Sequence, residues 1–188
     1  MAGKMSIEKR MILCCNVFRN GKEVFYSRAI NDMVIFAGPP FSMVEMKIKV
    51  QGQPLAGCIG DGVIISTPTG STAYNLSAGG PILSASLSAV VITPVCPHSL
   101  SFRPIVISAD RNVDVEVVRV NEGTTLTLDG QVSHKLQRGD VVSLKRDQGA
   151  FLVVNNPVRT QWDTLACKLS WAEKPRYRTK KDSSRCDE

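Results

Sequence analysis

Apolar and polar residues alternate along several stretches of the chain, and this alternation predicts β-strands. In residues 43–50 every second side chain is apolar, and charged side chains lie between them. Residues 113–117 alternate valine with acidic residues in the same way. Successive side chains of a strand point to opposite faces of its sheet, so each segment has one buried and one solvated face. This pattern is typical of antiparallel sheets.

Two dipeptides predict tight hairpin turns. Asn20-Gly21 and Asp129-Gly130 each lie between two runs of strand type. Both central residues of a type I′ turn need positive φ, which Asn, Asp and Gly adopt most readily. These turns, the alternating segments and the short apolar runs together predict strands at residues 11–18, 23–28, 29–36, 43–50, 55–59, 63–65, 89–95, 105–108, 113–117, 124–128, 131–136, 141–145 and 151–154.

Only two segments have the pattern of a helix. Residues 72–78 follow a hydroxyl-rich turn and are ended by Gly79-Gly80-Pro81. Residues 161–171 carry apolar side chains at positions i, i+3, i+4 and i+7, which predicts an amphipathic helix. Many short strands and two short helices predict a mainly β protein, a β-sandwich or a related layered fold. Strands and helices do not alternate, which excludes a doubly wound nucleotide domain from this sequence.

The composition indicates the cellular environment of the chain but does not point to a particular reaction or metal site. The chain has 188 residues, 43% of them apolar, and a formal charge of +6. From residue 174 onward six basic residues face three acidic ones, which indicates a solvated tail rather than a nucleic-acid surface. No apolar run approaches the roughly 20 residues of a membrane span. Six scattered cysteines and two histidines do not suggest a zinc site, and we expect small core cysteines in a reduced, cytoplasmic setting.

The most informative segment is GDGVIISTPTGSTAY at residues 60–74. Asp61 lies between two glycines, which lets the backbone take positive φ and brings a carboxylate close to a ligand. A buried strand, a hydroxyl-rich turn and a helix follow, and Ser71 or Thr72 can cap that helix. A strand end beside a helix N-terminus suits an anion or a sugar hydroxyl. Residues of this type also cap helices without binding anything, so the spacing alone leaves both interpretations open.

Residues 61–74 resemble the signature of the NAD kinases, which phosphorylate the 2′-hydroxyl of the adenosine ribose of NAD. The resemblance continues through residues 76–81 and 92–104, and it spans about 11–171. It implies a layered β-sandwich of the NAD kinase C-terminal domain type. We therefore expect an N-terminal lead at 1–10, a β-rich NAD-binding domain at 11–172, and a disordered basic tail at 173–188.

The resemblance also implies a binding site. Asn31-Asp32 matches an Asn-acid pair that binds adenine and the adenosine ribose, although a turn at a strand end would use the same residues. Asp129-Gly130-Gln131 resembles a further motif near the ligand, and a hairpin turn explains it equally well. His98 and Arg103 are interpreted as residues that fix a loop. The implied NAD-binding residues are Asn31, Asp32, Asp61, Thr69, Thr72, Ala73, Tyr74, Ser77 and Gln131.

The Gly-Gly-Asp-Gly motif of the family, whose aspartate lies at the site of phosphoryl transfer, does not occur in this sequence. No catalytic residue is therefore identified. The favoured function is the NAD-binding domain of an NAD kinase, with ATP or polyphosphate as donor, Mg²⁺ as ion, and NAD or NADP as ligand. We expect a homo-oligomer, with a separate N-terminal half as a further partner. The alternatives are a non-catalytic NAD(P)-binding or regulatory module and, less favoured, a lipid kinase.

Overall fold

The computed structural model describes residues 5–40, 42–155 and 161–169. It divides into two units, one of residues 8–153 and one of the described residues on either side of that range. The elements in chain order are β1 (Ser6–Arg19), β2 (Lys22–Ala29), β3 (Asp32–Phe36), β4 (Val44–Val50), β5 (Gln53–Gly60), β6 (Gly62–Ser66), a 3-10 helix (Gly70–Thr72), α1 (Tyr74–Ser77), β7 (Ala89–Val95), β8 (Ile105–Ser108), β9 (Val113–Arg119), β10 (Thr125–Leu128), β11 (Val132–Lys135), β12 (Val141–Asn155) and α2 (Gln161–Leu169).

The strands form two six-stranded antiparallel sheets. The first sheet has the order β2-β1-β12-β9-β4-β5, and the second has the order β11-β10-β3-β6-β7-β8. In the second sheet β3 is central, paired with β10 on one side and β6 on the other. The predicted mainly β, layered fold with two short α-helices is confirmed.

Alternate residues of both sheets form one apolar core. Met33, Ile35 and Val63 contribute to it from the second sheet, and Val115 and Leu144 contribute from the first. Burying an aliphatic side chain of this size stabilises the fold by roughly 1.5–3 kcal/mol. Because these core positions alternate with others along each strand, the residues between them on β3 face away from the core.

Both predicted hairpin turns are confirmed. Asn20 and Gly21 have φ of 52° and 76° between β1 and β2, and Asp129 and Gly130 have φ of 50° and 66° between β10 and β11. Gln51 and Gly52 form a third such turn between β4 and β5, with φ of 51° and 74°. In each case the left-handed backbone reverses the chain without a longer loop.

The strands differ most from the predictions at three places. β1 begins at Ser6, and its first residues lack the apolar alternation that would have indicated it. The single strand predicted at 29–36 is broken at Ile30-Asn31, because the backbone groups of these two residues bond to other segments instead of a ladder. Residues 141–145 and 151–154 belong to one continuous strand, β12.

The helix predicted at 72–78 is shorter and is divided. A 3-10 turn, Gly70–Thr72, precedes the four-residue α1, and Ala73 lies between them without a side-chain cap. The predicted caps are wrong because the hydroxyl of Ser71 donates to Pro68 O at 2.7 Å and accepts from Leu83 N–H at 2.9 Å. Gly79 ends α1 with φ of 81°, as predicted.

The second predicted helix is observed as α2, and residues 170 and 171 of the prediction lie outside the described residues, as does the predicted tail. None of the helices in the described ranges has the length and apolar character needed to cross a membrane. Five described cysteines are free thiols; Cys96 and Cys167 are exposed, which contradicts their interpretation as core residues. Cys186 lies outside the described residues.

Candidate functional site

A cavity lies on the outer face of the second sheet, beside the segment of residues 70–87. This segment follows β6 and covers part of the sheet: the hydroxyl of Thr93 on β7 donates to Asn75 Oδ1 at 2.7 Å, and Leu83 clusters with Val91. A cavity of about 450 Å³ remains over the neighbouring strands β3 and β10. The site is therefore built on the rigid sheet, with a short helix as one wall.

The cavity combines an apolar floor with a polar rim. Val34 and Phe36 of β3 share the outward face with Asp32, and the strand register places Thr127 of β10 opposite Val34. Tyr74, at the start of α1, keeps 42% of its surface exposed. An apolar surface with a few convergent polar groups is typical of small-molecule sites. The lining consists of Asn31, Asp32, Val34, Phe36, Ala73, Tyr74, Thr127, Asp129 and Gly130.

Two turns that are distant in sequence meet at one end of this cavity. Thr67 N–H donates to Asn31 O at 2.8 Å, and the Thr67 hydroxyl donates to Ile30 O at 2.5 Å and accepts from Gly70 N–H at 3.1 Å. A Cβ on Gly70 would lie 2.1 Å from Asn31 O, so only glycine permits this approach. The Thr67–Gly70 turn therefore fixes the position of the Asn31-Asp32 pair.

Asn75 fastens the segment that carries Tyr74. It is fully buried, and its amide donates to Ser71 O at 3.0 Å and Pro81 O at 3.1 Å while accepting from Thr93. A Cβ on Gly80 would lie 2.0 Å from Asn75 Oδ1, so the turn after α1 closes tightly on this amide. Sequence reasoning missed Asn75; its signal was an amide within an otherwise hydroxyl-rich and apolar stretch.

Two carboxylates lie together at the cavity. Asp32 is only 5% exposed. Burial, and then the neighbouring charge of Asp129, raise the pKa of Asp32 to about 6. Asp129 accepts three backbone N–H groups at 2.7–3.0 Å, from residues 30 to 32. Asp129 therefore holds three backbone N–H groups, while Asp32 beside it is the buried carboxyl with the raised pKa.

The structure brings together four of the nine residues implied by the resemblance. Asn31, Asp32, Ala73 and Tyr74 line the cavity. The other five do not line it: Thr69 and Asp61 are half-buried, and Thr72, Ser77 and Gln131 are exposed.

Asp61 lies at the opposite end of β6 from the Thr67–Gly70 turn. Its N–H donates to Val95 O at 3.0 Å, and its carbonyl accepts from Ala37 N–H at 2.8 Å. Its carboxylate accepts a hydrogen bond from the Cys96 thiol. This hydrogen bond is the main cause of the raised pKa of Cys96. At 3.3 Å per residue, the length of β3 separates the two ends of the site by about 13 Å.

The glycines beside Asp61 serve a different purpose from the one predicted. Neither Gly60 nor Gly62 has positive φ. A Cβ on Gly60 would lie 2.8 Å from Cys96 O, and one on Gly62 would lie 2.1 Å from Ile35 O. Both positions are glycine because neighbouring backbone passes close to them, and not because of an unusual conformation.

Arg103 fixes its loop, in agreement with the prediction, by donating to Leu100 O and, at 3.2 Å, to Phe102 O. His98 N–H donates to Ile59 O at 2.8 Å and ties the same loop to β5. Within the described ranges no three His, Cys, Asp or Glu side chains are grouped so that they could hold a metal ion. No step is assigned to a metal ion.

Comparison with known proteins gives the same family throughout. A family model described as the ATP-NAD kinase C-terminal domain matches residues 30–156. The NAD kinase of Geobacter sulfurreducens is 41% identical over 174 residues, which are 93% of this chain and 61% of that relative. The NAD kinase of Rhodopirellula baltica is 38% identical over 170 residues, which are 90% of this chain and 55% of that relative.

Solved structures agree. The crystal structure of yeast NADH kinase complexed with NADH matches with a TM-score of 0.86 and 27% identity, covering 92% of this chain and 51% of that one. An NAD kinase from Archaeoglobus fulgidus in complex with ATP has a TM-score of 0.67 at 24% identity, which shows a likeness of fold. The chain spans 61% of the length of the Geobacter relative. Since the family model matches more than half of the chain, the chain belongs to the ATP-NAD kinase C-terminal domain family.

Proposed function

We propose that this chain forms the NAD-binding part of an NAD kinase, which transfers a phosphoryl group from ATP or polyphosphate to the 2′-hydroxyl of the adenosine ribose of NAD and so forms NADP. The observation that carries this proposal is the cavity where the Asn31-Asp32 turn meets the segment that bears Tyr74. Yeast NADH kinase, whose structure holds NADH, supports it through a similar fold.

The cavity suits the adenosine half of a dinucleotide. Asp32, when charged, accepts hydrogen bonds from two ribose hydroxyls, and the amide of Asn31 offers a donor and an acceptor to an adenine edge. Val34 and Phe36 supply an apolar surface for a flat ring, and Tyr74 can stack on it. Holding the ribose fixed is the contribution of these residues, because phosphoryl transfer depends mainly on positioning.

The remaining residues of the implied set lie outside this cavity and are proposed to meet the rest of the dinucleotide. They are Asp61, Thr69, Thr72, Ser77 and Gln131. We name no catalytic residue, and Mg²⁺ is proposed to arrive with the phosphoryl donor. A homo-oligomer in the cytoplasm, with a further kinase half as partner, is proposed from the family resemblance.

The proposal is tested by calorimetric titration of NAD into the purified chain and its Tyr74→Ala variant. Loss of an aromatic contact of about 1.5 kcal/mol corresponds to roughly 10-fold weaker binding. Tyr26→Ala is the matched control, because Tyr26 on β2 is similarly exposed (48%) and does not line the cavity. Equal affinities of wild type and Tyr74→Ala, or no binding by the wild type, would contradict the proposal.

A second candidate function is a non-catalytic NAD(P)-binding module. It is favoured by one observation: this sequence contains no Gly-Gly-Asp-Gly motif. Incubation with NAD, Mg²⁺ and either ATP or polyphosphate separates the two, with an NADP-specific enzyme as reporter. NADP formation rules out the non-catalytic module, and binding of NAD without NADP formation favours it.

A further inference from the structure

One carboxylate holds the turn between β2 and β3. Asp129 accepts Ile30 N–H on Oδ2 at 2.8 Å, and it accepts Asn31 N–H at 2.7 Å and Asp32 N–H at 3.0 Å on Oδ1. In return, the Asp129 N–H donates to Asp32 O at 3.0 Å. Four hydrogen bonds therefore connect two segments that lie almost 100 positions apart in the sequence.

The backbone of Asp129 is suited to this task. It occupies the left-handed region with φ of 50°, in the tight turn between β10 and β11. The short hairpin places its carboxylate beside the end of β3, whose residues pair with β10. A hairpin turn alone does not require an acid here, since asparagine and glycine satisfy the same turn. The carboxylate therefore has a purpose beyond the turn.

We propose that Asp129 is a positioning residue of the dinucleotide site: its carboxylate gathers the three N–H groups of Ile30, Asn31 and Asp32 and so directs the side chains of Asn31 and Asp32 into the cavity. This inference rests on the proposed function for its ligand, and on the contacts of the chain itself for its geometry.

The same contact sets the charge of Asp32. Among the cavity-lining residues, the ionisable groups are Asp32, Asp129 and Tyr74, and none is cationic. The β6 residue opposite Asp32 in the register is Ser66, which does not titrate. Burial is the larger cause of the raised pKa of Asp32, and the charge of Asp129 is the second. Removing the Asp129 charge therefore lowers the pKa of Asp32 without restoring its ordinary value.

The test compares Asp129→Asn with wild type in NAD titrations from pH 5 to pH 8. Asparagine tolerates the left-handed backbone and keeps one oxygen for Asn31 N–H and Asp32 N–H, but it leaves Ile30 N–H without its acceptor. We expect about 3- to 10-fold weaker binding at pH 8, which is the effect of losing one such hydrogen bond. We also expect the acid loss of NAD affinity to move to lower pH, a shift that a merely structural role would not produce.

Glu122→Gln is the control, because Glu122 is exposed in the loop before β10 and its substitution removes one negative charge away from Asp32. It should change neither the NAD affinity at pH 8 nor the pH at which that affinity is lost. Asp129→Ala removes both acceptor oxygens, and with them all three hydrogen bonds, and should weaken binding further, provided that its circular dichroism shows the native fold. Unchanged affinity together with an unchanged pH midpoint in Asp129→Asn would overturn the inference.

A readout without NAD separates this inference from the proposed function. The carboxyl of Asp32 is titrated by NMR in the NAD-free chain, and the exchange of the amide hydrogens of residues 30–32 is measured. In Asp129→Asn we expect a lower midpoint for Asp32 and faster exchange of the Ile30 amide. If wild type fails to bind NAD but these changes appear, the proposed function fails and the role of Asp129 stands. If neither the Asp32 midpoint nor the exchange rate of the Ile30 amide changes, the role of Asp129 fails.

Discussion

Asp32 is buried on β3 with 5% of its surface exposed, and its carboxyl faces the cavity. Burial and the charge of Asp129 raise its pKa from 3.8 to about 6. A carboxyl whose pKa is raised on folding binds its proton more tightly in the folded state, so this group favours folding as the pH falls from about 6 to 3.8. Above pH 6 the charged group lowers stability. The charged form of Asp32, which is the form that can accept hydrogen bonds from ribose hydroxyls, therefore lowers the stability of the free protein.

Asp32→Asn should therefore be more stable than wild type at pH 8, by up to about 3 kcal/mol, since the pKa rises from 3.8 to about 6 and each unit of pKa shift is worth about 1.4 kcal/mol. The difference in unfolding free energy between the variant and wild type should shrink as the pH falls through 6 towards 4. Urea denaturation at pH 8 and at pH 4 measures this difference. NAD titration should show weaker binding by the same variant. A variant less stable than wild type at pH 8 would contradict the charge argument.

The elements that carry the site depend on close approaches between backbones. Gly70→Ala should bring a methyl group to 2.1 Å from Asn31 O and force apart the two turns that meet at the cavity. We expect a loss of more than about 2 kcal/mol of unfolding free energy, together with loss of NAD affinity. Gly57→Ala on β5 is the control, because nothing lies within 4 Å of its added Cβ, and it should stay within about 0.5 kcal/mol of wild type. Equal stability of the two variants would show that the turns can separate freely.

Local patterns were sufficient to predict most strands and both β-turns at Asn20-Gly21 and Asp129-Gly130, because alternation and left-handed turns are properties of neighbouring residues. They failed where a distant segment decides the structure. The break at Ile30-Asn31 exists because Thr67 and Asp129 bind that backbone. Positions 60 and 62 are glycine because backbone from other segments passes close to them, and no local pattern reveals such an approach. For the site, the resemblance indicated Asn31, Asp32, Ala73 and Tyr74 as neighbours, but not the part played by Asp129 or Asn75.

At the scale of the whole molecule, the half-buried His134 of β11 has one ring nitrogen that is shielded from solvent. Its ring stacks on Phe25 at 4.6 Å between centroids, and its Nε2 has no hydrogen-bond partner within the part of the chain that the structure describes. Burial, and then the charge of Arg19, lower the pKa of His134, against the opposing effect of Asp140. Below about pH 6.5 the unfolded chain binds this proton more readily, so stability falls as the pH falls through that value.

His134→Phe keeps a ring beside Phe25 and removes the titrating group. We expect unfolding free energy at pH 7.5 equal to or above that of wild type, and a smaller decline between pH 7 and pH 5. Thermal or urea unfolding across that range measures both. Because Asp32 acts in the opposite direction over the same range, the measurement is best made in the Asp32→Asn background. If the unfolding free energy of the double variant declines between pH 7 and pH 5 as steeply as that of Asp32→Asn alone, His134 does not cause the decline.

The strand β3 has a practical meaning for protein engineering. Its odd-numbered side chains, Met33 and Ile35, lie in the core, and its even-numbered ones, Asp32, Val34 and Phe36, line the cavity. A library restricted to Val34 and Phe36 would therefore explore new ligand preferences while the core side chains Met33 and Ile35 are left as they are. In this fold the determinants of folding and of recognition are interleaved along one strand, so the two can be varied separately.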